Sequence, residues 1–558
     1  MRSKLFMLVL AAICLFCGAE TQGQSYAITN AKIVTVSGAT IDKGTIVIRN
    51  GLIDAVGANV TPPADAQVFD ATGLTVYPGF IDTLTSLGLP SAPARQQGPG
   101  GGGGGAAAAA AAAAAAQPTS NSNYPSGLRP EDAAFDEVRA GEAQFEAVRN
   151  AGITTALTIG RTGIFNGQST VINLAGDSVS GMVIKPQFAE HISFATLPGQ
   201  YPGSLLGTFS ALRQMFYDAQ RLQDMQKAYA ANPKGMRRPD ADRSLEALYP
   251  AINRQMPVVF NANTEIEIIR ALDLIKEFKL NGIIAGGQES WKVADRLKAQ
   301  NVAVLLSLNF PKRTTAANPE ADPESMQTLR LRAETPKGAG KLAAAGVKFA
   351  FQSGGATAIA DFFTNAGKAV EGGLNRDAAI RAMTLGAAEI LGVSDRTGSI
   401  ETGKIANLAI VKGDLFGRDK FVPQIIVDGK VFEQKEAPRG PGGRGTGSGQ
   451  GGPPPTAGAA SIAGTYSINI DIPGSPISGT LNLIQAGSVL TGTMITQAGT
   501  AAIRDGRTTP TGFSFAATVP YGGANLEITV QGSVSGNQVS GTIDTPQGAV
   551  PFSGTKNP

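Results

Sequence analysis

The chain has 558 residues, 42% of them hydrophobic and 16% charged, with a formal net charge of +3. That is far more chain than one small core needs, so two or three domains are expected. No basic run and no aromatic–basic interleaving accompanies the weak positive balance, which excludes a nucleic-acid-binding face.

The N-terminus reads MRSKLFMLVLAAICLFCGAETQGQS. A short basic head (Arg2, Lys4) precedes an apolar run from Leu5 to about Phe16, with small residues at Gly18 and Ala19. This is the three-part pattern of a secretory signal peptide, residues 1–23, and the run is short for a membrane span. A lipid-attachment site is not expected, because Leu15 and Phe16 precede Cys17 where a small residue is wanted. Cys14 and Cys17, the only cysteines, both fall in this segment, so the mature chain is expected to hold no thiol chemistry and no disulfide. The expected product is exported, periplasmic or extracellular, with no membrane span after signal removal.

Short strand patterns follow: YAITNAKIVTV, GTIVIRNGLIDAVG with Asn50-Gly51 marking a hairpin, and AQVFDATGLTVYPGFID. Residues 96–123, rich in Gly and Ala without periodicity, read as a surface insert. Apolar runs bounded by turn residues then recur at 152–160, 257–263, 281–287, 302–309 and 347–355. Helical patterns lie between the later ones, such as Glu265–Phe278 and Ser290–Gln300. Alternation at this spacing predicts βα units in the number of a (β/α)₈ barrel over residues 76–397. A long helix is expected near Leu205–Ala231, and the fourth barrel strand has no clear place. After Gly398 the strands return (GSIETGKIANLAIVKGD, PQIIVDGKVFE), so residues 25–75 and 398–434 are expected to pair as one composite β-sandwich domain. The Pro/Gly-rich stretch 438–459 reads as a linker. Residues 460–558 read as an antiparallel β-barrel or sandwich, within which SGTLNLIQAGSVLTGTMI and LEITVQGSVSGNQVSGTID look like a repeated hairpin.

Two separated segments carry a resemblance. AITNAKIVTVSGATIDKGTIVIRNGLIDAVG with VYPGFIDTLTSLG, and LNRDAAIRAMTLGAAEILGVSDRTGSIETGKIANLAIVKGDLF with IIVDGKVFE, resemble the amidohydrolase superfamily, and within it the imidazolonepropionase-like and related cyclic amidohydrolases. The likeness spans about Tyr26 to Glu433. It implies metal-dependent hydrolysis of non-peptide carbon–nitrogen bonds at the C-terminal mouth of the barrel. A His-x-His pair, two further histidines and an aspartate would hold the metal, which lowers the pKa of a bound water. Here those positions read Leu84, Ser86, Asn261, Gly286 (or Gly287) and Gly354. The whole chain has one histidine, His191, so four imidazoles cannot be assembled. No metal and no cofactor are expected.

Oxygen ligands at strand ends (Asp82, Glu265, Glu289, Asp361) are the substitutes to weigh, against ordinary capping roles. Glu190 and His191 are adjacent, so on a strand they face opposite ways and form no dyad. Ser86 or Ser353 with an unknown lysine is a further option. The Gly-rich loop after the second barrel strand offers Arg161, Asn166, Gln168 and Ser169 as ligand-binding candidates. Asn407 replaces the aspartate usual in the family's Gly-Lys-x-Ala-Asp-Leu turn, a structural position. Two readings follow: a catalytically degenerate barrel that binds a small polar ligand or pairs with a metal-competent homologue or a second copy, and an active hydrolase with a metal-free or carboxylate-based site.

Overall fold

The structure, a computed structural model, describes residues 25–90, 124–435 and 462–556, less residues 126, 142, 161–162, 198, 200, 314–323, 355–358, 418, 471–476, 487–488, 497–498, 510–511, 522–523, 536–537 and 546–547. The stretches expected to be a signal peptide (1–23), a surface insert (96–123) and a linker (438–459) lie outside the described residues. Two compact units, residues 1–438 and 439–558, divide the chain. Among the described residues no helix is long and apolar enough to cross a membrane.

The first unit opens with β1 (Tyr26–Ile33), β2 (Ile41–Arg49), β3 (Leu52–Gly57), β4 (Gln67–Asp70) and β5 (Thr75–Pro78). Asn50 and Gly51 both take positive φ (52° and 78°) in the β2–β3 hairpin, as an Asn-Gly turn requires. After Gly79 the chain enters the barrel with β6 (Phe80–Thr85) and β7 (Ile153–Thr158). It continues through β8 (Phe165–Gln168), β9 (Thr170–Asn173), the short β10 (Val183–Lys185), β11 (Glu190–Ser193), β12 (Val258–Ala262), β13 (Gly282–Gly286), β14 (Ala303–Ser307) and β15 (Phe349–Gln352). It then returns to β16 (Leu408–Lys412), β17 (Phe421–Val427) and β18 (Lys430–Glu433).

The two flanks form one continuous sheet, β18-β17-β16-β5-β1-β2-β3 with β4 on β1, where separate sheets of a sandwich were expected. The reason is β5, which pairs in parallel with β1 and antiparallel with β16 and so joins the flanks edge to edge. Ile28, Ile33, Ile46 and Ile48 share one core with Leu408, Ile410 and Ile426.

The barrel also departs from eight parallel strands. β6 and β7 are parallel, and β11 to β15 are parallel in order. Between them, β8 and β9 form a stave that runs the other way, antiparallel to β7 through β9 and to β11 through β8. A parallel neighbour needs a crossover of about a dozen residues or more, usually helical. Only Ile159–Ile164 lies between β7 and β8, so the chain turns back on itself. The fourth strand, unplaced from sequence, is β11 and carries His191. Across the seam Thr83 Oγ1 donates to Phe351 O at 2.9 Å.

Helices pack outside these staves. Leu205–Ala231 connects β11 to β12, and Glu265–Phe278 connects β12 to β13. The second starts at a reciprocal Thr264–Glu267 capping box, buries Ile268, Ala271, Leu272, Ile275 and Phe278 at three- and four-residue spacing, and ends on Lys279 at φ 55°.

The second unit is a closed antiparallel barrel. Its strands are β19 (Gly464–Ile470), β20 (Ile477–Ala486), β21 (Val489–Thr496), β22 (Gly499–Ala502), β23 (Arg504–Thr509), β24 (Gly512–Tyr521), β25 (Ala524–Ser535), β26 (Gln538–Thr545) and β27 (Gly548–Lys556). The order β20-β19-β27-β26-β25-β24-β23-β21 closes through β20–β21, leaving β22 as a flap on β21. The look-alike segments are the β20–β21 and β25–β26 hairpins. Alternating residues such as Tyr466, Ile468, Phe513, Phe515 and Phe552 fill the interior with side chains.

Candidate functional site

The barrel lumen is built in layers. Ile81, Leu157, Val171, Val259, Ile283, Leu305 and Ala350, one from nearly every stave, pack with Ala387, Ala388 and Leu391 of the helix Leu385–Leu391. Leu84 lies on this apolar floor, partly buried. Toward the C-terminal strand ends the lining turns polar. His191 is fully buried, its Nε2 2.9 Å from Ser169 Oγ and its Nδ1 without a partner. Gly167, the register partner of His191 on β8, has no side chain to compete with the ring. Burial holds the imidazole down at about 3, so it is neutral at physiological pH.

At the strand ends three half-buried side chains join. Ser193 Oγ donates to Asn166 Oδ1 at 2.6 Å, and Asn261 Nδ2 donates to Ser193 Oγ at 2.8 Å and reaches Asn166 Oδ1 at 3.5 Å. Amides and a hydroxyl from three neighbouring strands meet there with no charge among them, and Asn261 holds the strand-five position at which the resemblance implies a histidine. Ser193 was not foreseen. Its signal was its place two residues beyond His191 on one strand, which puts both on one face.

Of the loop candidates, Asn166 and Ser169 meet these residues, and Arg161 lies outside the described residues. Gln168 does not join them. Gln168 is the register partner of outward-facing Glu190, and its Nε2 donates to Pro130 O at 3.3 Å, whereas the register shift between His191 and Ile192 leaves Asn166 unpaired on β8. Ser86 lies in the turn after β6, its carbonyl accepting from Leu89 N–H at 3.3 Å.

The carboxylates weighed as substitutes do not converge. Asp82 is fully buried, with Oδ1 accepting from Ser353 N–H at 2.9 Å and Oδ2 unpartnered; burial raises it to about 6, opposed by the Ser353 and Leu84 hydrogen bonds. Glu289 Oε2 accepts from Glu265 N–H at 2.8 Å, and Lys292 contacts both carboxylates, at 2.7 Å (Glu289) and 3.6 Å (Glu265), which makes them a helix-start ion pair. Asp361 pairs with Lys312 at 2.7 Å. Asn407 is structural: Nδ2 donates to Asn173 Oδ1 at 2.7 Å, and Oδ1 accepts from Asp428 N–H at 2.8 Å.

A hydrolytic metal does not fit these residues. Among the described residues no three His, Cys, Asp or Glu side chains stand together as ligands. Two of the expected ligand positions also have a glycine-type backbone. Gly286 has φ 94°, and a Cβ there would lie 2.4 Å from Asn263 Oδ1. Gly354 has φ 80°, with a Cβ 3.1 Å from that of Asn309. Residues with a side chain rarely adopt such angles, and here the added Cβ would also meet a neighbouring side chain.

Residues 272–432 match the family model of the amidohydrolase family. The matched stretch runs from the helix after β12 to β18 and therefore excludes positions 84, 86 and 261. Among solved structures, an amidohydrolase from Thermotoga maritima MSB8 is similar at 23% identity with a TM-score of 0.59, over 73% of this chain and 100% of that one. This likeness supports the barrel fold. A putative prolidase from Bifidobacterium longum is more distant, at 18% identity and TM-score 0.44, over 75% of this chain and 97% of that one. No curated protein matches the chain.

Proposed function

We propose that this chain is an exported, catalytically degenerate relative of the imidazolonepropionase-like and cyclic amidohydrolases, whose barrel mouth binds a small, uncharged polar ligand. The observation that carries this reading is the Asn166–Ser193–Asn261 network standing where metal-binding imidazoles would be needed. Amide and hydroxyl groups both donate and accept, which suits the edge of a cyclic amide or imide. None of them activates water, and the family's main source of hydroxide near neutrality is a bound metal.

The test is a titration of the full chain with hydantoin-like cyclic imides, followed by NMR for binding and for ring opening, with and without added Zn²⁺. The reading expects saturable binding without turnover, and loss of at least tenfold in affinity in Asn261→Leu, the scale of one buried hydrogen bond. Ring opening would contradict it, as would failure of every ligand to bind.

Asp82 favours a second reading, a metal-free hydrolase. A buried carboxyl raised to about 6 is suited to proton transfer near neutrality. That reading requires turnover that rises through about pH 6 and disappears in Asp82→Asn.

A further inference from the structure

Outside the lumen, on the opposite face of β8 and β11, a second polar cluster holds oxygens without hydrogen-bond partners. Glu190 is fully buried, and neither of its carboxylate oxygens has a hydrogen-bond partner. Gln168, 6% exposed, is its direct register partner across the antiparallel pair, so the two side chains stand on one face. Gln168 Oε1 is also unpartnered.

The segment Pro130–Ala133 is clamped over them: Gln168 N–H donates to Asp132 O at 2.7 Å, its Nε2 to Pro130 O at 3.3 Å, and Ala133 forms a bridge with Gln168. Between those anchors sits Glu131, both of whose carboxylate oxygens are buried and unpartnered. The charged groups that act on Glu190 are Glu131 and Asp132, both acidic; the basic Arg129 and Arg243 act on Asp132. Five buried acceptor oxygens, two each from Glu131 and Glu190 and one from Gln168, thus have no hydrogen-bond partner.

Buried acceptors without donors cost free energy unless a cation or protons satisfy them. We propose that Glu131, Glu190 and the Gln168 side-chain oxygen form a structural site for a divalent, oxygen-preferring cation, Ca²⁺, that pins the 130–133 segment to the barrel wall. Two carboxylates match its charge. Ca²⁺ accepts about six to eight oxygens in loose geometry, with carboxylates serving in bidentate fashion, so main-chain carbonyls or a water complete the set. Mg²⁺ holds its waters and demands octahedral order, which a dry site does not offer. The site lies on the other face of the strands from the mouth and is independent of the ligand proposed there.

The test uses the full chain stripped with chelator, then titrated calorimetrically with Ca²⁺ and, separately, with Mg²⁺ and K⁺, alongside thermal unfolding. The expected result is saturable binding of one Ca²⁺ per chain with a higher unfolding temperature. Glu190→Gln should abolish both while keeping the wild-type circular dichroism spectrum. Glu131→Gln, on the outer segment, should weaken binding at least tenfold. Absence of Ca²⁺ binding by the wild-type chain overturns the proposal and leaves shared protons as the compensation. Unchanged Ca²⁺ affinity in both variants also overturns it, placing the ion elsewhere.

Discussion

His191 and Asp82 give the unit containing them opposing responses to pH. An unfolded histidine titrates near 6.5, whereas the folded imidazole is held at about 3. Below about pH 6.5 the unfolded chain takes up a proton that the folded chain refuses, so stability falls toward acid by up to ~1.4 kcal/mol per pH unit. Asp82 behaves in reverse. Its folded value of about 6 lies above the ordinary 3.8, so its contribution is full below 3.8 and is lost as pH rises through about 6. Urea unfolding at pH values between about 4 and 7 separates the two. His191→Gln should lose the acid-side fall and Asp82→Asn should steepen it; unchanged slopes would refute the assignments. At Gly286 the prediction is steric. Gly286→His forces a side chain onto Asn263 at a left-handed φ and should cost roughly 1–3 kcal/mol without creating transition-metal binding. Stability at wild-type level, or tight Zn²⁺ binding by this variant, would show that the position still accepts a ligand.

At the scale of elements, periodicity carried most of the information. The helices Leu205–Ala231 and Glu265–Phe278 begin and end where the apolar spacing and caps place them. Thr264→Ala should therefore cost about 1 kcal/mol by removing the reciprocal cap, measurable as a shift in urea midpoint with unchanged m-value. The antiparallel β8–β9 stave was not legible. Its residues, FNGQ and TVIN, suit a strand of either direction, and direction is set by the length of the preceding loop. The same stave explains why, of the loop residues offered together, Asn166 meets Ser193 while Gln168 faces the other way: alternation sends Gln168 outward with Glu190, and the bulge falls at Asn166. A bulge leaves no signature in a short polar run. The composite sheet was legible as a pairing of two flanks. That they form one sheet depends on the two-sided pairing of β5, a long-range choice that local pattern does not contain.

For the whole molecule, the contacts divide the chain into units 1–438 and 439–558. Each has its own apolar core. Separate expression of residues 25–435 and 462–558 should yield two folded proteins that unfold at the temperatures of the two calorimetric transitions of the full chain; an unfolded fragment would mean that one unit depends on the other. That four imidazoles cannot be assembled was readable from a histidine count, whereas the polar network that stands at the mouth required the staves to be placed in register. The central claim, that this mouth no longer holds a catalytic metal, is tested most directly by plasma mass spectrometry for Zn, Fe, Ni, Mn and Co on full chain purified without chelators from an export-competent host. The account predicts far less than one transition-metal ion per chain in folded protein. A near-stoichiometric ion would contradict it and restore a metal-dependent hydrolase with ligands other than the family's.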